Sequence, residues 1–187
     1  METKIYFVRH AAVNYIPDDF IRPLSEKGRQ DAKKVTGFFE DKRITKVISS
    51  PYMRAIDTIK GAAHRKKLEI ETIKDCRERK VANEHIDVDD FFIFAKKQWS
   101  DFDFRLEGGE SLNQVQKRAV GVVNDLLDRF PGEKIILGTH GTWLGVLLNY
   151  FDDKYDYYFW ESIKMPDIFL LVFQESQLES ITNFQII

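Results

Sequence analysis

Two histidines stand where short apolar, β-rich runs end, and each has company suited to an anion. Ile5-Tyr6-Phe7-Val8 delivers Arg9 and His10 together, and Lys134-Ile135-Ile136-Leu137 leads into Gly138-Thr139-His140-Gly141. A dianionic phosphoryl group needs concentrated positive charge and donors aimed at its non-bridging oxygens. Arg9 and Arg54 offer fixed, forked guanidinium donors for it. Arg54 falls in the first turn of a helix expected to start at Ser50-Pro51, whose positive end reinforces the pull on an anion. His140 adds a donor when protonated or held in the right tautomer. His10 is then the natural nucleophile, because an imidazole nitrogen can attack phosphorus and carry the group covalently. The attacking nitrogen must be unprotonated while the other donates to a fixed acceptor, commonly a backbone carbonyl. One histidine at a strand end is more often structural. Two of them, one preceded by arginine and the other set between glycines, favour phosphoryl transfer.

The elements that must position these groups follow from pattern. After the first strand, Pro17 and Pro23 bracket an irregular loop, and Ser25 caps a helix with Ala32, Val35 and Phe39 on its apolar face. Lys46 to Ser49 reads as a strand. The Ser50-Pro51 helix that follows buries Ile56, Ile59 and Ala63, and Leu68 to Ile73 reads as a third strand. A helix is expected from Asp89 to Trp99. Ser111 with Gln114 forms a capping box for a helix that Pro131-Gly132 ends, its core face being Val115, Val122, Leu126 and Phe130. Lys134 to Leu137 is a strand, Thr142 to Tyr150 a helix, and Ile168 to Phe173 with Leu178 to Phe184 a closing hairpin. Strands alternating with helices predict an α/β fold: a three-layer α/β/α sandwich, its mostly parallel sheet covered by helices on both faces. Ligands of such sheets bind beyond the carboxyl ends of the strands, where His10, His140 and Ser49-Ser50 fall. One domain over residues 1–187 is expected, with an insertion of about 77–109 placed as a lid.

Composition bounds the partners. The 187 residues are 43% hydrophobic with fifteen phenylalanines, enough for a sizeable core. With 28 basic and 30 acidic residues, net −2, no general attraction for nucleic acid or anionic lipid is expected. The basic run His64-Arg65-Lys66-Lys67 reads as a helix end, where cations complement the dipole. A single cysteine, Cys76, fits a reducing compartment. The first residues hold no apolar stretch of signal-peptide length, and Ile168 to Phe173 is far too short for a membrane span. A cytoplasmic protein is expected. His85 near Asp87, Asp89 and Asp90 raises metal binding, but these acids read better as helix-start residues, and no metal or other cofactor is expected. The aromatic run Tyr155 to Trp160 is most simply core packing, with a homodimer contact as its alternative.

Five stretches in order resemble the histidine phosphatase, or phosphoglycerate mutase-like, superfamily. They are Val8-Arg9-His10, Leu24 to Gly28, Ser49-Ser50-Pro51 to Thr58, Glu107 to Ser111, and Gly138 to Gly141. The resemblance implies that His10 is phosphorylated and that Arg9, Arg54 and His140 complete the phosphate pocket. It implies Glu78 as proton donor, with Glu84, and after it Asp87 or Glu110, as alternatives. Glu78-Arg79 is similar to a Glu-Arg step of the mutases, which makes Arg79 a candidate for the substrate. Most members have Gly, Glu or Gln, and Thr or Ser after the histidine, where this chain has Ala11-Ala12-Val13. That change is expected to alter the polar lining of the pocket, with Asn14 and Tyr15 partly replacing it. The arginine pair and longer insertions of the true mutases have no counterpart here. A small phosphorylated metabolite and a metal-independent phosphatase are therefore expected. The alternatives are mutase-type transfer and a catalytically silent phospho-ligand binder.

Overall fold

Hydrophobic alternation along the strands decides which helices lie on which side of the sheet. The computed structural model describes residues 1–82 and 88–186, with side chains at 88 and 89 not included. In chain order the elements are β1 (Glu2–Arg9), α1 (Glu26–Phe38), β2 (Lys46–Ser49), α2 (Met53–Lys66) and β3 (Ile70–Thr72). A 3-10 turn (Lys74–Cys76) leads to α3 (Val88–Ser100), α4 (Leu112–Arg129), β4 (Lys134–Thr139), α5 (Gly141–Phe151), α6 (Tyr157–Ser162), β5 (Asp167–Gln174) and β6 (Gln177–Phe184). The six strands form one sheet in the order β3-β2-β4-β1-β5-β6. β3, β2, β4 and β1 pair in parallel, and β5 runs antiparallel to both β1 and β6.

In β1, Ile5 and Phe7 point into a core shared with α4 and α5, while Tyr6 and Val8 point into one shared with α1 and α2. β4 divides likewise: Ile135 and Leu137 face α4 and α5, and Ile136 faces the other side. Period-two alternation in a sheet covered on both faces thus yields the three-layer sandwich. Ser25 caps α1 by accepting the Gly28 amide, and Ser111 with Gln114 closes the full capping box on α4. Trp160 of the aromatic run is buried, whereas Tyr158 is exposed. None of the described helices is long and apolar enough to cross a membrane.

Two expectations are corrected. The third strand is shorter than Leu68–Ile73, because the chain enters the 3-10 turn at Lys74 and only Ile70–Thr72 pair with β2. The helix expected at Ser50-Pro51 begins at Met53. Tyr52 takes the cap position without a side-chain bond of its own, and Ser50 sits two residues ahead, its hydroxyl accepting the Tyr52 amide and meeting the His140 ring. Ala11 and Val13, from the stretch that departs from most members, pack with Leu24 and Ala32 in a small cluster of their own, aligned by a bridge between Val13 and Leu24.

Candidate active site

Strand register brings the chemistry together. Arg9 of β1 lies opposite Thr139 of β4, so His10 and His140 leave the sheet side by side, with their rings 5.3 Å apart. Ser49 of β2 lies opposite Gly138, and the Ser50 amide bonds the Gly138 carbonyl at 2.8 Å. Three neighbouring strands therefore deliver His10, His140 and Ser50 to one spot beyond their carboxyl ends.

His10 is fixed at both nitrogens. Nδ1 lies 2.8 Å from the Ala11 carbonyl, and Nε2 receives the Arg54 Nε–H at 3.2 Å. A carbonyl only accepts and a guanidinium only donates. The neutral ring therefore carries its hydrogen on Nδ1 and presents a lone pair at Nε2. Burial, with the neighbouring His140 ring and the Arg54 and Arg9 guanidiniums, holds its pKa well below the ordinary imidazole range, against a smaller upward pull from the Ala11 carbonyl. The Ala11 amide is itself anchored on Thr58 Oγ1 at 2.9 Å, which holds the carbonyl that orients His10.

Arg54 rises from the first turn of α2 and is buried. Besides His10 it reaches Asp19: Nη1 donates to the backbone carbonyl at 2.6 Å and pairs with the carboxylate at 3.1 Å. The Tyr52 ring lies beneath the guanidinium and against the His140 ring. Arg9 donates from Nη1 to the Ile163 carbonyl, while its buried Nε has no partner among the described residues. Gly141 admits it, since a Cβ there would stand 2.8 Å from the Arg9 guanidinium carbon.

Glu78 comes from the segment after the 3-10 turn and meets the start of α5. Its carboxylate accepts the amides of Thr142 at 3.0 Å, Trp143 at 3.2 Å and Arg79 at 2.8 Å. The Thr142 and Trp143 amides are orphan donors of a helix N-terminus, aimed at an anion. Burial pushes the carboxyl up, but the Arg79 charge, the Arg79 and Thr142 amides and Arg54 outweigh it and hold Glu78 below the ordinary carboxylate range. Arg118 of α4 ties the segment down by donating to the carbonyls of Asp75, Arg77 and Glu78 and to the Glu110 carboxylate.

The structure thus brings together Arg9, His10, Arg54, Glu78 and His140. It places the other candidates apart from the paired imidazoles. Asn14 is exposed, its amide bonded to the Pro23 carbonyl. Arg79 is buried between Phe91 and Phe94 of α3 and donates to the Gln98 side chain at 2.6 Å. Glu110 is committed to Arg77 and Arg118. Glu84, His85 and Asp87 lie outside the described residues. Among the described residues no group of His, Cys, Asp and Glu is arranged to hold a metal. Sequence reasoning missed the Asp19 partner of Arg54 and the hydroxyl of Ser50, although Ser49-Ser50 at a strand end was a signal for the latter.

Residues 5–178 match the family described as histidine phosphatase superfamily (branch 1). The chain belongs to that superfamily. It is 29% identical over 154 residues to phosphoglycerate mutase-like protein 4 of Arabidopsis thaliana, a match covering 74% of this chain but 66% of that protein, just under two thirds of its length. Among solved structures it resembles Bacillus stearothermophilus YhfR, with TM-score 0.80, 23% identity and coverage of 95% of this chain and 94% of the other. It also resembles a mycobacterial glucosyl-3-phosphoglycerate phosphatase, with TM-score 0.77, 18% identity, and 98% and 97% covered. At these identities the structural likenesses show the histidine phosphatase fold alone. The superfamily acts through a histidine as phosphatases or mutases.

Proposed function

We propose that this chain hydrolyses small phosphomonoesters, without a metal, through a phosphohistidine at His10. The observation that carries the reading is the His10 tautomer, with its lone pair at Nε2 beside Arg54 and the second imidazole. Arg9, Arg54 and His140 hold the phosphoryl oxygens and stabilise the charge that spreads over them in transfer. Nε2 attacks phosphorus as the ester P–O bond breaks, and Glu78 gives its proton to the leaving oxygen. Water then attacks the phosphohistidine, Glu78 takes the proton back, and inorganic phosphate leaves with His10 restored. Glu78 is ionised while its charge faces only cations and amides; a bound phosphoryl dianion raises its affinity for the proton it must deliver. A single, reduced cysteine fits a cytoplasmic setting for this chemistry.

Mutase-type transfer shares every step up to the phosphohistidine and differs only in the acceptor, and the Arabidopsis relative's printed name keeps it as the second reading. The test is phosphate release from an aryl phosphate in the presence of a chelator. An alkaline quench followed by mass spectrometry then asks for an acid-labile phosphoryl group on His10. His10→Ala should lower turnover by at least about 10³-fold. No release by the unaltered protein would leave a silent binder. Faster interconversion of phosphoglycerates than phosphate release would make it a mutase.

A further inference from the structure

His140 must present a hydrogen to the phosphoryl group in the proposed reaction, yet it has none to spare if protonated on the wrong nitrogen. Its Nε2 lies 2.7 Å from Ser50 Oγ, and its Nδ1 is buried with no partner among the described residues. Both residues are fully buried. Ser50 Oγ accepts the Tyr52 amide at 3.3 Å, which leaves its own hydrogen to be placed. If Nε2 carried the imidazole hydrogen, the serine hydrogen would have no acceptor among the described residues, and Nδ1 would be a buried lone pair with no donor among them. If the serine hydroxyl donates to Nε2, the hydroxyl is satisfied and the sole uncommitted N–H of the ring is on Nδ1.

We infer that Ser50 is a positioning residue that holds His140 as the Nδ1–H tautomer, making it a neutral hydrogen-bond donor to the transferring phosphoryl oxygens. The two imidazoles then divide the work without either being charged. His10 keeps its hydrogen on the Ala11 carbonyl and offers a lone pair, whereas His140 gives its lone pair to Ser50 and offers a hydrogen. The same serine sets the start of α2, since its oxygen holds the Tyr52 amide ahead of the helix that carries Arg54. The inference deepens the phosphatase reading but has a readout that does not require turnover.

The experiment is nitrogen-15 NMR of the full chain labelled at histidine, assigned with a His140→Asn variant and repeated with inorganic phosphate. Long-range nitrogen–proton couplings distinguish the tautomers of a neutral ring. The expected result is His140 protonated on Nδ1, a phosphate-dependent shift at that nitrogen, and loss of the single tautomer in Ser50→Ala. The Ala variant should also lose about 10- to 100-fold in kcat, less than the loss of an oxyanion donor itself, while KM moves less than about 3-fold. His140 protonated on Nε2 in the unaltered protein would overturn the inference, whether or not the Ala variant folds. A Ser50→Ala kcat within about 2-fold of the original would do so too. An inactive chain that still shows the Nδ1–H form would sink the phosphatase reading and leave this assignment standing.

Discussion

The five pocket residues reach one place, but their donors are not idle there. Arg54 spends one hydrogen on the His10 lone pair and others on Asp19, a half-exposed carboxylate that Arg22 also pairs at 2.7 Å. A phosphoryl group must take these donors over. Asp19→Asn is therefore expected to tighten inhibition by inorganic phosphate about 2- to 5-fold, the worth of a solvent-screened ion pair; weaker inhibition would mean that Asp19 aligns Arg54 instead. Burial and the neighbouring cations hold His10 far below its ordinary value of 6.5, so the nucleophile stays neutral well into acid. Glu78, held below the carboxylate range by its amides and cations, loses the needed proton as pH rises. The free-enzyme profile of kcat/KM, corrected for the ionisation of the substrate, should accordingly peak below pH 6.5. The alkaline limb of kcat should lie at higher pH, because the bound dianion favours protonated Glu78. A kcat/KM that climbs through neutrality would contradict these assignments.

At the scale of elements, the site depends on a segment with little regular structure of its own. Residues 74–80 are held by Arg118, by the Trp143 indole on the Asp75 carbonyl, and by the Thr139 hydroxyl on the Cys76 carbonyl. Arg118→Ala takes the donor from the Asp75, Arg77 and Glu78 carbonyls and leaves the largely buried Glu110 carboxylate with Arg77 as its remaining cation. It should cost roughly 2–4 kcal/mol in denaturant unfolding and release Glu78 from α5; a loss under about 0.5 kcal/mol would show that the other two contacts suffice. What could be read from the chain divides along the same line. His10, His140 and Arg54 were legible because strand ends and helix starts are local patterns. The Ser111 capping box was legible for the same reason. The Ser50 hydroxyl was not, since its partner is 90 positions away in sequence. Nor was the fate of Ala11 and Val13, which is decided by Leu24 and Ala32 across a bridge. Arg79 was matched from its neighbour Glu78, but the packing of α3 draws its guanidinium to Phe91, Phe94 and Gln98.

For the whole molecule, the pocket is an electrostatic liability. Two buried neutral imidazoles, each with its pKa lowered mainly by burial, bind protons less readily folded than unfolded. Below about pH 6.5 the unfolded chain takes up protons first, so stability should fall as pH drops from there. His140→Asn should soften that fall in thermal melts; an unchanged slope would place the acid sensitivity elsewhere. Inorganic phosphate should oppose it, adding about 2.7 kcal/mol at a hundred times its Kd. A different consequence attaches to Cys76. Its thiol is buried and pushed up to about 12, so almost none of it is thiolate at neutral pH. Oxidants and alkylating reagents attack the thiolate. Because the proposed nucleophile is a nitrogen and the lone thiol is chemically mute, peroxide levels that silence thiol-based enzymes would leave this catalyst running.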